Sequence, residues 1–195
     1  MKKPIYLDAK KLVESKIDSE NVFSGKLLDV YFDNVTLPDN EHSTREWIKH
    51  PGACAVVPVF NDGSIMLVKQ FRYPTTQIFY EVPAGKIDSG EPQEVTAERE
   101  LLEESGLTAS EMKYVGHFYP GIGYTDEIIH IYVAWNLQES SQNVDDDEFL
   151  INYRIPFREA VDMINKGDIS DGKTVCSILK TKEWWLKNKP FEVRF

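Results

Sequence analysis

One segment constrains this chain more than any other. It runs GKIDSGEPQEVTAERELLEESGL, from Gly85 to Leu107. Pro92 suits the first turn of a helix and Gly106 suits its end, so the punctuation predicts a helix between them. Glu91 and Glu94 lie where carboxylates favour the positive end of the helix dipole. On a wheel of roughly 100° per residue, Val95, Ala97, Leu101 and Leu102 share one arc. Glu100, Glu103 and Glu104 share the neighbouring arc, at i, i+3 and i+4. The fold must therefore bury one side of this helix while holding a row of carboxylates beside it.

Carboxylates at that spacing repel one another. A solvated acidic face is the ordinary reading of such a row. The alternative is a hard divalent cation, which prefers carboxylate oxygens. Mg²⁺ in particular is commonly shared between a few carboxylates and substrate phosphates. With Gly85, Glu91, Arg99 and Gly106 on the same loop–helix–loop unit, the row points to phosphoryl or pyrophosphoryl chemistry.

The rest of the chain supplies a core and a sheet. Its 195 residues, 42% hydrophobic, suit one domain with a smaller appendage. Residues 1–20 are polar with a weak helical pattern. Val22 to Trp47 is β-friendly around the Pro38-Asp39-Asn40 turn and reads as an antiparallel hairpin or meander. Residues 53–60 and 64–70 read as strands joined in a hairpin at Asn61-Asp62-Gly63. Further strands are expected at 77–82, 112–119 and 127–136, and helices at 157–166 and 172–187. Gln138 to Glu148 reads as an acidic loop. Its Asp145-Asp146-Asp147-Glu148 run lacks the glycine and spacing of an EF-hand and reads as solvated. The sum is an α/β (α+β) fold with a mixed sheet, helices on its faces and a β-rich N-terminal part. The expected division is an N-terminal subdomain over 1–50 and a main domain over 51–195.

A formal net charge of −10 argues against nucleic acid as a partner. Cys54 and Cys176 match no metal spacing and read as small core residues in a reducing compartment. The apolar runs are too short to span a bilayer, and no secretory signal is visible, so a cytoplasmic protein with no membrane partner is expected.

The segment from Gly85 to Leu107 resembles the Nudix box, whose fixed positions are a Gly, a Glu, Arg-Glu-aliphatic, Glu-Glu and Gly-aliphatic. Gly85, Glu91, Arg99, Glu100, Leu101, Glu103, Glu104, Gly106 and Leu107 occupy all of them at the family's spacing. The resemblance implies an α/β/α sandwich and Mg²⁺- or Mn²⁺-dependent hydrolysis of a nucleoside diphosphate linked to another moiety. It implies Glu100, Glu103 and Glu104 as metal ligands, joined by the backbone carbonyl of Ala84. Glu103 is also expected to take part in catalysis. Arg99 and Glu91 are expected to orient the glutamates from behind.

The runs TREWIKHPGA (44–53), VKQFRYP (68–74), YEVPAG (80–85) and YPGIGYTDE (119–127) resemble the ADP-ribose pyrophosphatase branch, as does Pro120 after the box. ADP-ribose is therefore the expected substrate, with GDP-mannose or a UDP-sugar as the alternative and non-catalytic nucleotide sensing as a rival of another class. The loop after Pro120 is longer than that branch's usual one, since IGYT precedes Asp126-Glu127. Glu127 is the expected general base, with Asp126 as its competitor. Arg72 suits a pyrophosphate, because a guanidinium matches phosphate oxygens in pairs. Glu81 is expected as a polar contact on the pocket wall. Arg45 and Glu46 resemble the Arg-Glu pair with which related homodimers complete the partner's nucleotide site. Tyr31 and Phe32 read as core aromatics before base-stacking ones, His130 as a satisfied strand residue, and Trp184 and Trp185 as packing or dimer residues.

Overall fold

The structure, a computed structural model, describes residues 9–141 and 149–191. The Asp145–Glu148 run lies outside the described residues. The chain divides into two compact units, Met1–His50 with Gly121–Glu127, and Pro51–Pro120 with Ile128–Phe195.

In the first unit, β1 (Ser15–Ser24), β2 (Asp29–Thr36) and β3 (His42–Lys49) form an antiparallel sheet in the order β1-β2-β3. The turn between β2 and β3 falls at Pro38–Asn40, with Asn40 at a φ of 70°. β1 begins at Ser15, inside the stretch expected to be weakly helical. Pairing decides this: Ser15 through Ser24 lie opposite Thr36 through Asp29. The 121–127 segment runs along β3. Ile48 N–H donates to Tyr124 O at 2.8 Å, and His50 N–H to the Asp126 carboxylate at 2.7 Å.

In the second unit, β4 (Ala53–Pro58) and β5 (Ser64–Arg72) are joined by the expected Asp-Gly turn, with Gly63 at a φ of 80°. The hairpin expectation fails beyond it. One bridge, Val59 to Ile65, closes the turn, and the strands then part into different sheets. β4 is buried along its whole length and needs neighbours on both faces. The turn residues fix the local bend; the partner of each strand is set by burial. β4 pairs with β7 (Ala84–Lys86) and β9 (Ile129–Glu139), and β8 (Leu107–Phe118) lies outside β9. β4 and β9 are parallel and the other pairs antiparallel, so this sheet is mixed as expected. β5 joins a second sheet between β6 (Gln77–Glu81) and β10 (Leu150–Pro156).

Alternation along β4 builds two cores. Cys54 and Val56 face Ala97 and Leu101 of α1 (Gln93–Ser105), together with Tyr132 and Leu107. Ala53, Ala55 and Val57 face the other way, toward Ile65, Leu67, Ile155, Ile178 and Trp185. Those residues belong to the second sheet and to α3 (Gly172–Asn188). α2 (Phe157–Lys166) adds Phe157 and Ala160 to the same core. A fully buried aliphatic side chain contributes about 1.5–3 kcal/mol, so this two-sided strand anchors the α/β/α layering. Trp185 is buried in this core and the partly buried Trp184 packs against it, as the packing reading expects. Cys54 is fully buried but Cys176 only half so, which corrects the expectation that both are core residues. Among the described residues, no helix is long and apolar enough to cross a membrane.

Candidate active site

α1 starts with Pro92 as its N-cap residue and ends at Gly106, whose φ of 68° lets its N–H reach back to Leu102 O. The buried face comprises Thr96, Ala97, Glu100, Leu101, Glu104 and Ser105. This differs from the wheel in one respect. Val95 is 46% exposed, while two glutamates take its place on the inward side. Burying an unpaired carboxylate costs several kcal/mol, so Glu100 and Glu104 need compensation.

Arg99 supplies much of it. Its Nη1 donates to Glu100 Oε1 at 2.6 Å and to Glu103 Oε2 at 3.0 Å. Its Nε and Nη2 grip both Glu91 oxygens at 3.1 and 3.0 Å, and Nη2 also reaches Lys86 O at 3.1 Å. The Arg99 guanidinium, with Thr96 Oγ1 at 2.7 Å, holds the Glu91 carboxyl down at about 2. One guanidinium thus ties the loop before α1 to two of its glutamates. Glu104 is fixed differently: its Oε2 accepts the Ala84 N–H at 3.0 Å. β7 also passes so close to the helix that a Cβ on Gly85 would lie 2.0 Å from Glu100 Oε1. A glycine is required there because a carboxylate occupies the space a side chain would take.

The ligands expected from the sequence, the Glu100, Glu103 and Glu104 carboxylates and the Ala84 carbonyl, would offer hard oxygen throughout. That chemistry fits Mg²⁺ or Mn²⁺. Among the described residues, no three His, Cys, Asp or Glu side chains converge as a ready-made cage. Mg²⁺ seldom uses one, since it keeps several waters and takes further ligands from substrate phosphates. Cys54 sits behind this row with its thiol donating to Gln93 O at 3.2 Å. Burial first, then the Glu100 and Glu91 charges, push that thiol up to about 12, which removes it as a nucleophile.

Arg72 and Glu81 prove to be partners. Arg72 Nε and Nη2 donate to the Glu81 oxygens at 2.7 and 2.6 Å. Glu81 is 2% exposed and also accepts from Lys173, a residue the sequence did not flag. Lys173 bridges to Asp171 at 3.0 Å, and Asp171 caps α3 through Thr174 N–H at 3.0 Å. The Asp-Gly-Lys-Thr run shows a helix cap in sequence, but nothing in it shows that its lysine reaches back to β6.

In the first unit, Arg45 pairs with Glu14 rather than with Glu46, with Nε to Oε2 at 2.9 Å. Adjacent residues on a strand point to opposite faces, so Arg45 and Glu46 do not share one. Asp126 is engaged by the His50 backbone, whereas the Glu127 carboxylate lies 3.8 Å from His50 Nε2. Tyr31 stacks on Trp47 with ring centroids 5.0 Å apart, both half-buried; Phe32 is half-buried too. His130 corrects its expectation. It is buried, but among the described residues its Nδ1 has no hydrogen-bond partner.

Residues 48–177 match the NUDIX domain family model. The ADP-ribose pyrophosphatase of Bacillus subtilis is 41% identical over 178 residues, spanning 89% of this chain and 96% of that protein. The methanol dehydrogenase activator of Bacillus methanolicus is 40% identical over 171 residues, spanning 86% and 92%. A crystal structure of an ADP compounds hydrolase superposes with a TM-score of 0.80 at 22% identity, covering 91% of this chain and 97% of that one, and shares its fold. The chain belongs to the Nudix family.

Proposed function

We propose that this protein is a pyrophosphohydrolase that cleaves the diphosphate of a nucleoside diphosphate sugar, with ADP-ribose as the substrate and AMP and ribose 5-phosphate as products. The observation that carries this reading is the pair of buried carboxylates, Glu100 and Glu104, held against the Ala84–Gly85 backbone by contacts that fix their position. The similarity to the Bacillus subtilis enzyme over nearly its whole length supports ADP-ribose within that chemistry.

Water attacks one phosphorus of the diphosphate, and a phosphate monoester leaves. A divalent cation, Mg²⁺ or Mn²⁺, held by Glu100, Glu103, Glu104 and the Ala84 carbonyl, would neutralise the charge that builds on the phosphate oxygens. Arg99 and Glu91 keep those carboxylates oriented. Arg72 binds a phosphate oxygen with the part of its guanidinium not committed to Glu81. Glu127 takes the proton of the attacking water. The engagement of Asp126 with the His50 backbone favours Glu127 for that role. A cytoplasmic setting suits the free thiols of Cys54 and Cys176. The working form is a homodimer.

Steady-state hydrolysis of ADP-ribose, GDP-mannose and UDP-glucose with Mg²⁺ and with Mn²⁺ tests the reading. ADP-ribose is expected to give the highest kcat/KM. Glu104→Gln is expected to cut its turnover about 100-fold or more, and Glu127→Gln to lower kcat with binding kept. Wild-type turnover by Glu104→Gln would remove the carboxylate row from the mechanism. Tight binding without hydrolysis of any substrate would replace the enzyme with a nucleotide sensor, a reading that the similarity to a dehydrogenase activator would then support.

A further inference from the structure

Arg72, Glu81, Lys173 and Asp171 form a line of alternating charge in the second unit. Burial varies steeply along it. The Arg72 side chain is 42% exposed, Glu81 2%, Lys173 16% and Asp171 23%. The cation at the open end is therefore the one that can meet a ligand. Its geometry is one-sided: Nε and Nη2 grip Glu81, and Nη1 makes neither of those bonds.

That arrangement poses an electrostatic problem. A buried carboxylate gripped by a single guanidinium cancels its charge, and a cancelled cation is a poor anion receptor. Lys173 changes the balance, since Glu81 Oε2 is shared between Arg72 and the Lys173 ammonium. Burial pushes the Glu81 carboxyl up, but Arg72 and Lys173 together outweigh it and hold it low. Lys173 is itself fixed by Asp171, whose carboxylate also accepts the Thr174 hydroxyl at 2.6 Å. Thr174 Oγ1 in turn accepts the Val82 N–H at 2.9 Å. The start of α3 thus grips both the Glu81 side chain and the backbone that follows it.

We propose that Lys173 is a positioning residue for substrate binding. By sharing the charge of Glu81, it leaves the more exposed Arg72 guanidinium less completely neutralised and better able to bind the diphosphate. This rests on the proposed function for the identity of the ligand, and metal-free binding separates the two.

Binding of ADP-ribose to the full-length protein is measured by calorimetry with divalent metal chelated, and turnover is measured separately with Mg²⁺. Lys173→Met keeps the side-chain length and removes the charge. It is expected to raise the Kd about ten-fold and KM in parallel, with kcat held within about two-fold. The Glu81→Gln/Lys173→Met double variant removes the competing carboxylate and is expected to bind at least about three-fold more tightly than Lys173→Met. A purely structural lysine would make the double variant the weaker binder. Unchanged Kd in Lys173→Met, or a double variant no better than the single, overturns the proposal. If Lys173→Met does not fold, the double variant decides: a Kd about ten-fold or more above wild type overturns the proposal, and a smaller rise supports it. Wild-type protein that binds but does not hydrolyse ADP-ribose sinks the hydrolase reading and leaves the Kd comparison standing.

Discussion

A Cβ on Gly85 would meet the Glu100 carboxylate on all its nearest sides, at 2.0 Å from Oε1, 2.2 Å from Cδ and 2.5 Å from Oε2. The atoms in the way are the end of a side chain rather than backbone, so the fold can yield where the site cannot. Gly85→Ala is expected to displace that carboxylate and lower kcat/KM for ADP-ribose with Mg²⁺ by about 10–100-fold, while Tm falls only slightly. Steady-state kinetics beside a thermal melt checks this, and an Ala variant with wild-type turnover would show that Glu100 need not stay where it is. At this scale the sequence was readable wherever spacing along one helix carried the information. Glu100, Glu103, Glu104 and Arg99 are neighbours on α1, and one wheel displays them. Lys173 escaped that logic because its partner Glu81 lies on a strand far back in the chain. Arg45 and Glu46 show the converse: adjacency in sequence is separation on a strand, so each faces its own side of the sheet.

Strands were legible through their composition and less so through their partners. α1, α2 and α3 carry their own start and stop signals, and their bounds lie close to those expected. The Asn61–Gly63 turn formed as expected, but the buried character of β4 drew it into a sheet apart from β5. β10 was missed because its exposure does not alternate with its chemistry: Ile151 is 68% exposed while Ile155 is buried. β1 was missed because all ten of its residues are exposed, so no buried face shows in its pattern. The β8–β9 pair sets a different problem. His117 and His130 lie opposite each other, with ring centroids 6.1 Å apart, and Tyr114 Oη lies 2.9 Å from His117 Nδ1. Burial first, then the charge of His117, lowers the His130 pKa below its ordinary 6.5. The unfolded chain therefore binds this proton more readily than the folded one. The stabilising contribution is present above about pH 6.5 and is lost as pH falls through the folded value. His130→Phe is expected to flatten the decline in Tm between pH 7 and pH 5. An equally steep decline in that variant would assign the pH dependence to other groups.

At the scale of the whole molecule, the first unit presents apolar side chains along its outer strand. Val13 is 63% exposed, Ile17 49%, Val22 53% and Phe23 56%, all on or beside the outer strand of its sheet. A long edge strand with apolar side chains is a liability unless something covers it. The proposed homodimer would supply that cover. Light scattering is expected to return twice the chain mass, and Ile17→Lys with Phe23→Lys is expected to halve it while leaving the melt of the main unit in place. A monomeric wild-type protein would contradict this.

The 121–127 segment also bears on how this gene can be cut. Two compact units suggest two modules, but the first is written in two instalments, with the later one inside the text of the second. Ile48 bridges to Thr125, and Asp126 holds the His50 backbone. A fragment starting at residue 51 would keep Glu127 while deleting the strand that shapes its loop. Domain shuffling by simple concatenation is therefore closed to this chain: the N-terminal sheet and the loop acid have to be inherited together.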